Sequence, residues 1–592
     1  MIVQRLRDFH ARIADDLIPS YHKAQDVRWL LDLDAEGRFQ GLVGTEKTIT
    51  SPYRGRSGRK PPPYLLVDKP QYVLGLSRED EQAQAGPDAL SLSEDELRAR
   101  IEESTDDDAL SEEELDNALA DLQKNLGKVR WRFDAYRELA AACAEDTEAP
   151  ALRALLTFLD EHVADARRDE RALDMDPTSD LIAPRVDGKL LTDLPEVRQF
   201  WIGRQDSEAD EKSNLEARCI VCGEERPVAR IHPVELVLGG NRVKLVSGNE
   251  KAFLSYGLEQ SEIAPMCQPC ARTYGEALRY LLGDDAHHFR LGDVTWLYWT
   301  REPSDLDPFG ALAEANPRDV ENLLDAARRG TAPAHLKNND FYALACTANV
   351  SRLAVRSWLT ESVAEVQQRL GEYFARMELT GRDGEARHHN VFALAGATVR
   401  ELRDLPPRVV PDLIEHALTG RTLPRTLLHR TLQRARAEGR ITHPRAALIK
   451  LVLLSNQPDH QPPMIDDTLT TSHERPAYQC GRLLALLENI QDTALDNPNT
   501  TLVDRYFGTA STAPASVFGN LLRNAQSHLS KLRRDESTKG LHHYFQDELG
   551  AVMSRLDGFP RTLGAEDQGL FALGYYQQRH ASGKKQDDSD EA

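Results

Sequence analysis

What this chain lacks narrows it quickly. No apolar run approaches the roughly 18 residues that a membrane span requires. The opening Met1-Ile-Val-Gln-Arg-Leu-Arg7 sets Ile2, Leu6, Phe9 and Ile13 at helical spacing instead of building a signal-peptide core. A cytoplasmic protein without membrane association is expected. Catalytic signatures are missing as well: there is no G-x-x-x-x-G-K-[ST] phosphate loop, no H-E-x-x-H helix and no G-x-S-x-G elbow, and none of the 18 histidines precedes an aspartate. The pairs His287-His288, His388-His389 and His542-His543 make poor metal or catalytic candidates, because adjacent side chains on one element diverge. Asp and Glu are so plentiful that no carboxylate pair stands out for acid–base work. The expectation is a binding or scaffold protein and not an enzyme.

Cysteine is scarce, seven in 592 residues, yet four of the seven fall in two pairs, Cys219-Ile-Val-Cys222 and Cys267-Gln-Pro-Cys270. Reduced thiols grouped this way are metal ligands more often than disulfides. Two such turns complete a tetrahedral Cys₄ shell around Zn²⁺ with no open position for a substrate, which makes the expected metal structural. Gly223 after Cys222 suits the sharp return of a zinc knuckle. A redox C-x-x-C and unrelated buried thiols are the alternatives. Cys143, Cys346 and Cys480 stand alone and read as small buried hydrophobes.

Basic charge is short overall, with a formal balance of −22, which at first argues against a polyanionic partner. The deficit is local. Between Arg78 and Lys124 there are seventeen Asp or Glu against four Lys or Arg, leaving about −9 for the rest of the chain. Ser91-x-x-Glu94 and Ser111-x-x-Glu114 are capping-box patterns, so this acidic insertion (78–124) is expected to form two short surface helices without a core. The opposite bias appears in Tyr53-Arg-Gly-Arg-Ser-Gly-Arg-Lys60, a flexible loop offering Arg54, Arg56, Arg59 and Lys60 to a phosphate backbone, or simply to solvent. A second basic run spans Arg421, Arg425, Arg430, Arg434, Arg436, Arg440, Arg445 and Lys450, a candidate phosphate-tracking face.

Hydrophobic content of 40% supports proper cores and two to four domains. Val27–Leu33 and Arg38–Val43 flank Asp34-Ala-Glu-Gly37 as a hairpin, and Tyr64–Asp68 is strand-like. Residues 130–215 look mostly helical. Asp293–Trp299 alternates like a half-buried strand, and past Pro333 only Phe341–Thr347 reads as strand. The expected class is α+β: a mixed α/β N-terminal half with a Cys₄ zinc module, then an all-α C-terminal half ending in a helical bundle. The expected boundaries are an N-terminal domain over 1–335 with the zinc module at 215–275, a mainly helical region over 336–455, a proline-rich linker over 456–476 and a bundle over 477–592.

Several ordered motifs then point to one family. Tyr478-Gln-Cys-Gly-Arg-Leu-Leu-Ala-Leu-Leu-Glu488, Asp504-Arg-Tyr-Phe-Gly-Thr-Ala-Ser511, Pro514-Ala-Ser-Val-Phe518 and Asp567-Gln-Gly-Leu-Phe-Ala-Leu-Gly-Tyr-Tyr576 follow one another in the C-terminal stretch. Lys69-Pro-Gln-Tyr-Val-Leu-Gly75, Arg230-Ile-His-Pro233, Ala252-Phe-Leu-Ser-Tyr-Gly-Leu-Glu-Gln260 and Phe341–Trp358 with Arg352 and Arg356 accompany them. Together they resemble the large subunit of the type I-C CRISPR Cascade surveillance complex. The resemblance implies a non-catalytic subunit that reads the protospacer-adjacent motif in target double-stranded DNA, helps open the duplex, holds the displaced strand and recruits a helicase-nuclease, while guide RNA reads the sequence. It implies as partners the guide RNA ribonucleoprotein with its backbone and RNA-processing subunits, and a small subunit identical to this chain's own C-terminal region, for which Met464 is a candidate start.

Against those tasks, Lys69, Gln71, Ser255 and Gln260 are the candidates near bases, with Arg54, Arg56, Arg59 and Lys60 on the backbone. Arg430 and Arg434, together with Arg523, Lys531, Arg533 and Arg534, are candidates for the displaced strand. The acidic segment is longer and more charged than the resemblance leads one to expect, and a full Cys₄ set departs from it too. The rival classes are a free zinc-ribbon nucleic-acid-binding regulator and a metal-dependent nuclease.

Overall fold

The expected hairpin is present and longer than its apolar run. Strand β1 (His22–Leu33) pairs antiparallel with β2 (Phe39–Pro52), and Asp34 closes the turn by accepting hydrogen bonds from the Glu36 and Arg38 amides at 3.1 and 2.8 Å. The chain is seen here as a computed structural model that describes residues 2–56, 60–77, 89–104, 111–211, 213, 215–248, 250, 252, 257–329, 333–381, 383–458, 464–495 and 501–581. β1 also pairs in parallel with β3 (Ile182–Val186), which pairs antiparallel with β4 (Lys189–Leu190), giving the sheet order β2-β1-β3-β4. A register shift between Val27 and Trp29 breaks the two-residue alternation. It turns Val27 to the same face as Leu30, where both pack with Ile49, Val67 and Ala183, while Leu31 and Leu33 face the larger core.

Contacts divide the chain into two units, residues 1–297 with 344–358, and residues 298–343 with 359–592. In the first unit α1 (Ile2–Ile13) buries Val3, Leu6, Phe9 and Ile13, the stripe its spacing predicts. The acidic segment departs from expectation. It forms α3 (Glu94–Ser104) and the start of α4 (Glu112–Thr147), a helix of 36 residues opened by a Ser111/Glu114 capping box. Leu97 and Ile101 of α3 meet Leu115, Leu119, Leu122 and Leu126 of α4 in a buried cluster of their own, so the arm has the core its composition seemed to deny it. Farther along α4, Tyr136, Leu139, Ala140 and Cys143 enter the main core beside the sheet.

Short hairpins β5–β6 (Glu216–Arg218, Glu225–Pro227) and β7–β8 (Leu236–Leu238, Asn241–Val243) fall between α5 (Pro195–Asp210) and α6 (Gln268–Gly283). A second sheet is ordered β12-β11-β10-β9, from Arg352–Ser362, Asp340–Asn349, Val294–Thr300 and His288–Leu291. β10 is buried from Thr295 to Thr300 and not half-buried, as befits an internal strand. β12 is a strand that the sequence reading missed.

In the second unit, α7 (Val363–Met377) starts at a Ser362/Glu365 capping box and buries Val363, Val366, Leu370, Tyr373 and Phe374, as expected. Helices α8 (Arg425–Glu438) and α9 (His443–Ser455) precede α10 (Pro476–Leu495), α11 (Leu502–Ala510), α12 (Phe518–Arg534), α13 (Lys539–Met553) and α14 (Ala565–Ala581). α10 and α14 cross in contact through Gly481 and Gly574: a Cβ at either position would collide with backbone of the facing helix, at Phe571 or Tyr478. Four polar side chains of α10 and α14 find partners across this crossing or beside it. Tyr478 donates to Gln577 at 2.6 Å, Arg482 to Gln578 at 2.8 Å, and Tyr575 and Arg579 to Glu488 at 2.5 and 2.8 Å. The linker segment is held down where it is described, since Gln577 donates to the Asp466 and Thr468 carbonyls and Gln479 to that of His473. The far side of α14 packs on α8 and α9, with Leu428, Ile449 and Leu453 against Gly569.

Candidate functional site

The two cysteine turns converge. The four Sγ atoms of Cys219, Cys222, Cys267 and Cys270 lie within 4.8 Å of one another, and Cys222 Sγ is 3.8 Å from Cys267 Sγ. Four thiolates bonded to Zn²⁺ at about 2.3 Å stand about 3.8 Å apart along each tetrahedral edge, so the donor set and its spacing fit the metal. Local backbone builds the site. Gly223 adopts φ +79° and its amide bonds the Cys219 carbonyl at 2.9 Å, folding the first turn back on itself. The Val221 and Cys267 amides both donate to Cys219 Sγ at 3.4 Å, as amides do around a ligated thiolate. Cys267 is the N-cap of α6, whose first turn carries Cys270. Hydrogen bonding, chiefly with Cys270, pulls the Cys267 thiol down, against its burial. The same contact and burial push Cys270 up.

Helix α6 extends this centre into a polar network. Arg272 donates to Ser20 at 2.6 Å and to Asp206 at 3.1 Å, and Glu276 meets His10 at 2.8 Å. One turn from Cys270, Tyr274 is hydrogen-bonded to Nδ1 of His232, a ring only 4% exposed. His232 lines a cleft of about 470 Å³ together with Arg230, Arg242, Lys244, Gln260 and Ser351. Arg230 donates to Gln260 at 3.1 Å, and Gln260 sits at φ +50°, a strained setting for a side-chain-bearing residue. None of His232, Lys244 and Tyr274 was singled out from sequence, although the quoted Arg230-Ile-His-Pro233 motif contains the histidine.

The other candidates are placed unevenly. Arg54 pairs with Glu208 at 3.0 Å. Arg56 forms an ion pair with the fully buried Asp68 and stacks 3.5 Å over the Tyr64 ring, so its guanidinium is committed within the chain. Asp68 also accepts from the Tyr64 and Lys69 amides at 2.7 Å; burial pushes its carboxyl up, against the pull of Arg56. Lys60 is exposed and lies 5.5 Å over Trp131. Lys69 is half-buried at the N-cap of α2 (Pro70–Val73), and Gln71 is buried within it. Arg59 and Ser255 lie outside the described residues.

The basic run from Arg421 to Lys450 is not one face. Arg445 is buried and pairs with Glu438 at 2.6 Å, and Lys450 is buried and donates to the Glu378 carbonyl at 2.6 Å. Arg434 also turns to Glu438, while Arg430 is exposed on α8. Lys531 donates to the Ala494 carbonyl at 2.5 Å, and Arg534 is exposed at the end of α12. His388 and His389 diverge as expected, to Glu378 at 3.1 Å and to His443 at 2.7 Å. No described helix is long and apolar enough to cross a membrane.

With this geometry in view, comparison with known families shows that the profile described as CRISPR-associated protein (Cas_Csd1) matches residues 4–582. No curated protein matches the chain. The chain belongs to this CRISPR-associated family.

Proposed function

We propose that the chain is the large subunit of a type I-C CRISPR surveillance complex, a cytoplasmic, non-catalytic protein that reads the protospacer-adjacent motif in duplex DNA. The family match over residues 4–582 carries this reading. In it, the guide RNA supplies sequence specificity, and this chain supplies motif reading, support for duplex opening and for the displaced strand, and a dock for the helicase-nuclease. The Cys₄ cluster holds structural Zn²⁺, which would fix the 219–222 turn to the start of α6 and so brace the wall that carries Arg230 and Gln260. Zinc supplies cross-linking there and no reaction step. A product beginning at Met464 would lack α8 and α9, so it would bare the α14 face around Gly569 to its neighbours in a complex.

The test is affinity purification of the tagged full chain from cells expressing the other subunits and guide RNA. Co-purification of guide RNA with backbone subunits is expected. Tight specific duplex binding by the isolated chain, with no ribonucleoprotein recovered, would identify a free regulator instead. Mg²⁺- or Mn²⁺-dependent DNA cleavage abolished by a single Asp or Glu substitution would identify a nuclease.

A further inference from the structure

The buried ring of His232 has one nitrogen unaccounted for. Nδ1 meets the Tyr274 hydroxyl, while Nε2 has no hydrogen-bond partner among the described residues and almost no solvent exposure. Two proton arrangements are available. If Nδ1–H donated to the Tyr274 oxygen, the phenol proton and the Nε2 lone pair would both go unmatched among the described residues. If the phenol donates to Nδ1, only Nε2–H is left over. Buried polar groups are rarely orphaned, so the arrangement with one unmatched group is favoured over that with two. Burial, reinforced by the nearby Lys244 charge, lowers His232 to about 4 and keeps its imidazole neutral near pH 7, and burial keeps Tyr274 protonated. The cleft wall therefore contains a neutral N–H donor with no acceptor among the described residues.

Its surroundings state which acceptor would suit. Lys244 is half-buried on the cleft wall, where desolvation lowers its pKa against the opposing pull of Glu235. Arg242 pairs with Glu235 at 3.0 Å but is 81% exposed at its side chain, and Arg230 spends its Nε–H on Gln260. Lys244 is held in place by its backbone, which exchanges hydrogen bonds with Ser351 and Leu353, each at 3.0 Å. An ammonium carried on an anchored backbone near a buried neutral donor, with two guanidinium groups on the same wall, is complementary to an anion with several acceptor oxygens.

We propose that the cleft between Arg230 and Gln260 is a phosphate-binding subsite, in which His232 Nε2–H and the Lys244 ammonium each take an oxygen of one phosphate group. This rests on the reading of the chain as a duplex-reading subunit and adds a register point to it: a neutral donor and a charged donor on the same phosphate would fix where the backbone lies against Gln260. Free phosphate offers the same chemistry, so the test has two arms.

In the first arm, binding of a labelled motif-bearing duplex to the purified full-length complex is measured across a salt series. Lys244→Gln is expected to weaken binding and to reduce the slope of log affinity against log salt by about 0.9, the value for one phosphate contact. His232→Phe is expected to lose about tenfold in affinity at every salt concentration with the slope unchanged, because the donor it removes is neutral. His232→Gln, which keeps an N–H, is expected to recover most of that loss. In the second arm, inorganic phosphate against sodium chloride at equal ionic strength is expected to raise the melting temperature of the wild-type full chain more than that of Lys244→Gln. Such a rise with no duplex effect would assign the subsite to free phosphate. If no duplex binds at all, the DNA reading itself falls and the second arm alone decides the subsite. Should Lys244→Gln and His232→Phe match the wild type in both arms, the subsite is refuted; if His232→Phe fails to fold, Lys244→Gln and His232→Gln carry the decision.

Discussion

The cysteine module and the α10–α14 crossing solve opposite problems. At the crossing, two glycines let backbones touch, the aliphatic side chains are buried almost completely, and Tyr478, Arg482, Glu488 and Tyr575 all find partners. Around the cysteines, strands are three residues long, and His232 Nε2 has no partner among the described residues. The crossing closes these hydrogen bonds through its own packing, although Asp492 Oδ1 and the Tyr576 hydroxyl on the same two helices have no partner among the described residues. The long C-terminal motifs are thus packing motifs, whereas the open nitrogen of His232 lies near a donor set that fits a metal.

That contrast can be broken from either side. The largest effect is expected for Gly574→Leu, whose side chain would drive into the Tyr478 backbone and cost more than about 3 kcal/mol; a calorimetric transition equal to wild type would show that the crossing tolerates separation. Next comes Cys267→Ser, which should abolish the bound zinc measured by plasma mass spectrometry and expose 215–275 to limited proteolysis, while α10 and α14 remain protected. Wild-type protein purified in reducing buffer with no stoichiometric metal would overturn the assignment. Glu488→Ala should cost about 2 kcal/mol, since it leaves the buried Tyr575 hydroxyl without its acceptor while the exposed Arg579 turns to water; burial raises the Glu488 carboxyl, and the Tyr575 bond opposes that rise.

The effect that is smallest near neutrality, and grows only in acid, is a pH dependence. His416 is buried in the second unit, donates its Nδ1–H to the Arg421 carbonyl at 2.6 Å, and is lowered by burial to about 4. Its depressed folded value means that the unfolded chain binds the proton first. Stability is therefore unaffected above the ordinary imidazole value of about 6.5, falls as pH drops from there towards 4, and levels off below. His416→Gln should flatten that part of a melting-temperature profile; an unchanged slope would remove His416 as its cause.

Legibility followed the same division. The Cys₄ cluster was readable because ligand spacing is a covalent fact, and Gly223 because a tight return demands its conformation. The hairpin and the stripes of α1 and α7 were readable from period alone. The acidic arm was misjudged because its average charge hides leucines at 115, 119, 122 and 126, spaced four, three and four apart on one helical face. β12 was missed because Arg352–Ser362 mixes exposed and half-buried residues without a clean alternation. Orientation is what composition cannot carry: Arg445 and Lys450 count as basic residues yet point inward to Glu438 and a carbonyl, and Arg56 is spent on Asp68. The His232–Tyr274 contact joins residues 42 apart, and no periodicity in either segment announces it.

Helix α4 has one more consequence. Its early leucines belong to the acidic arm and its later residues, from Tyr136 onward, to the main core, so one uninterrupted rod of 36 residues spans both. Each added or deleted residue between Leu126 and Tyr136 would rotate the arm by about 100° and shift it by about 1.5 Å. The direction in which the acidic surface points is therefore a phase, stored in the number of residues, and a single insertion could re-aim the whole charge without altering one carboxylate.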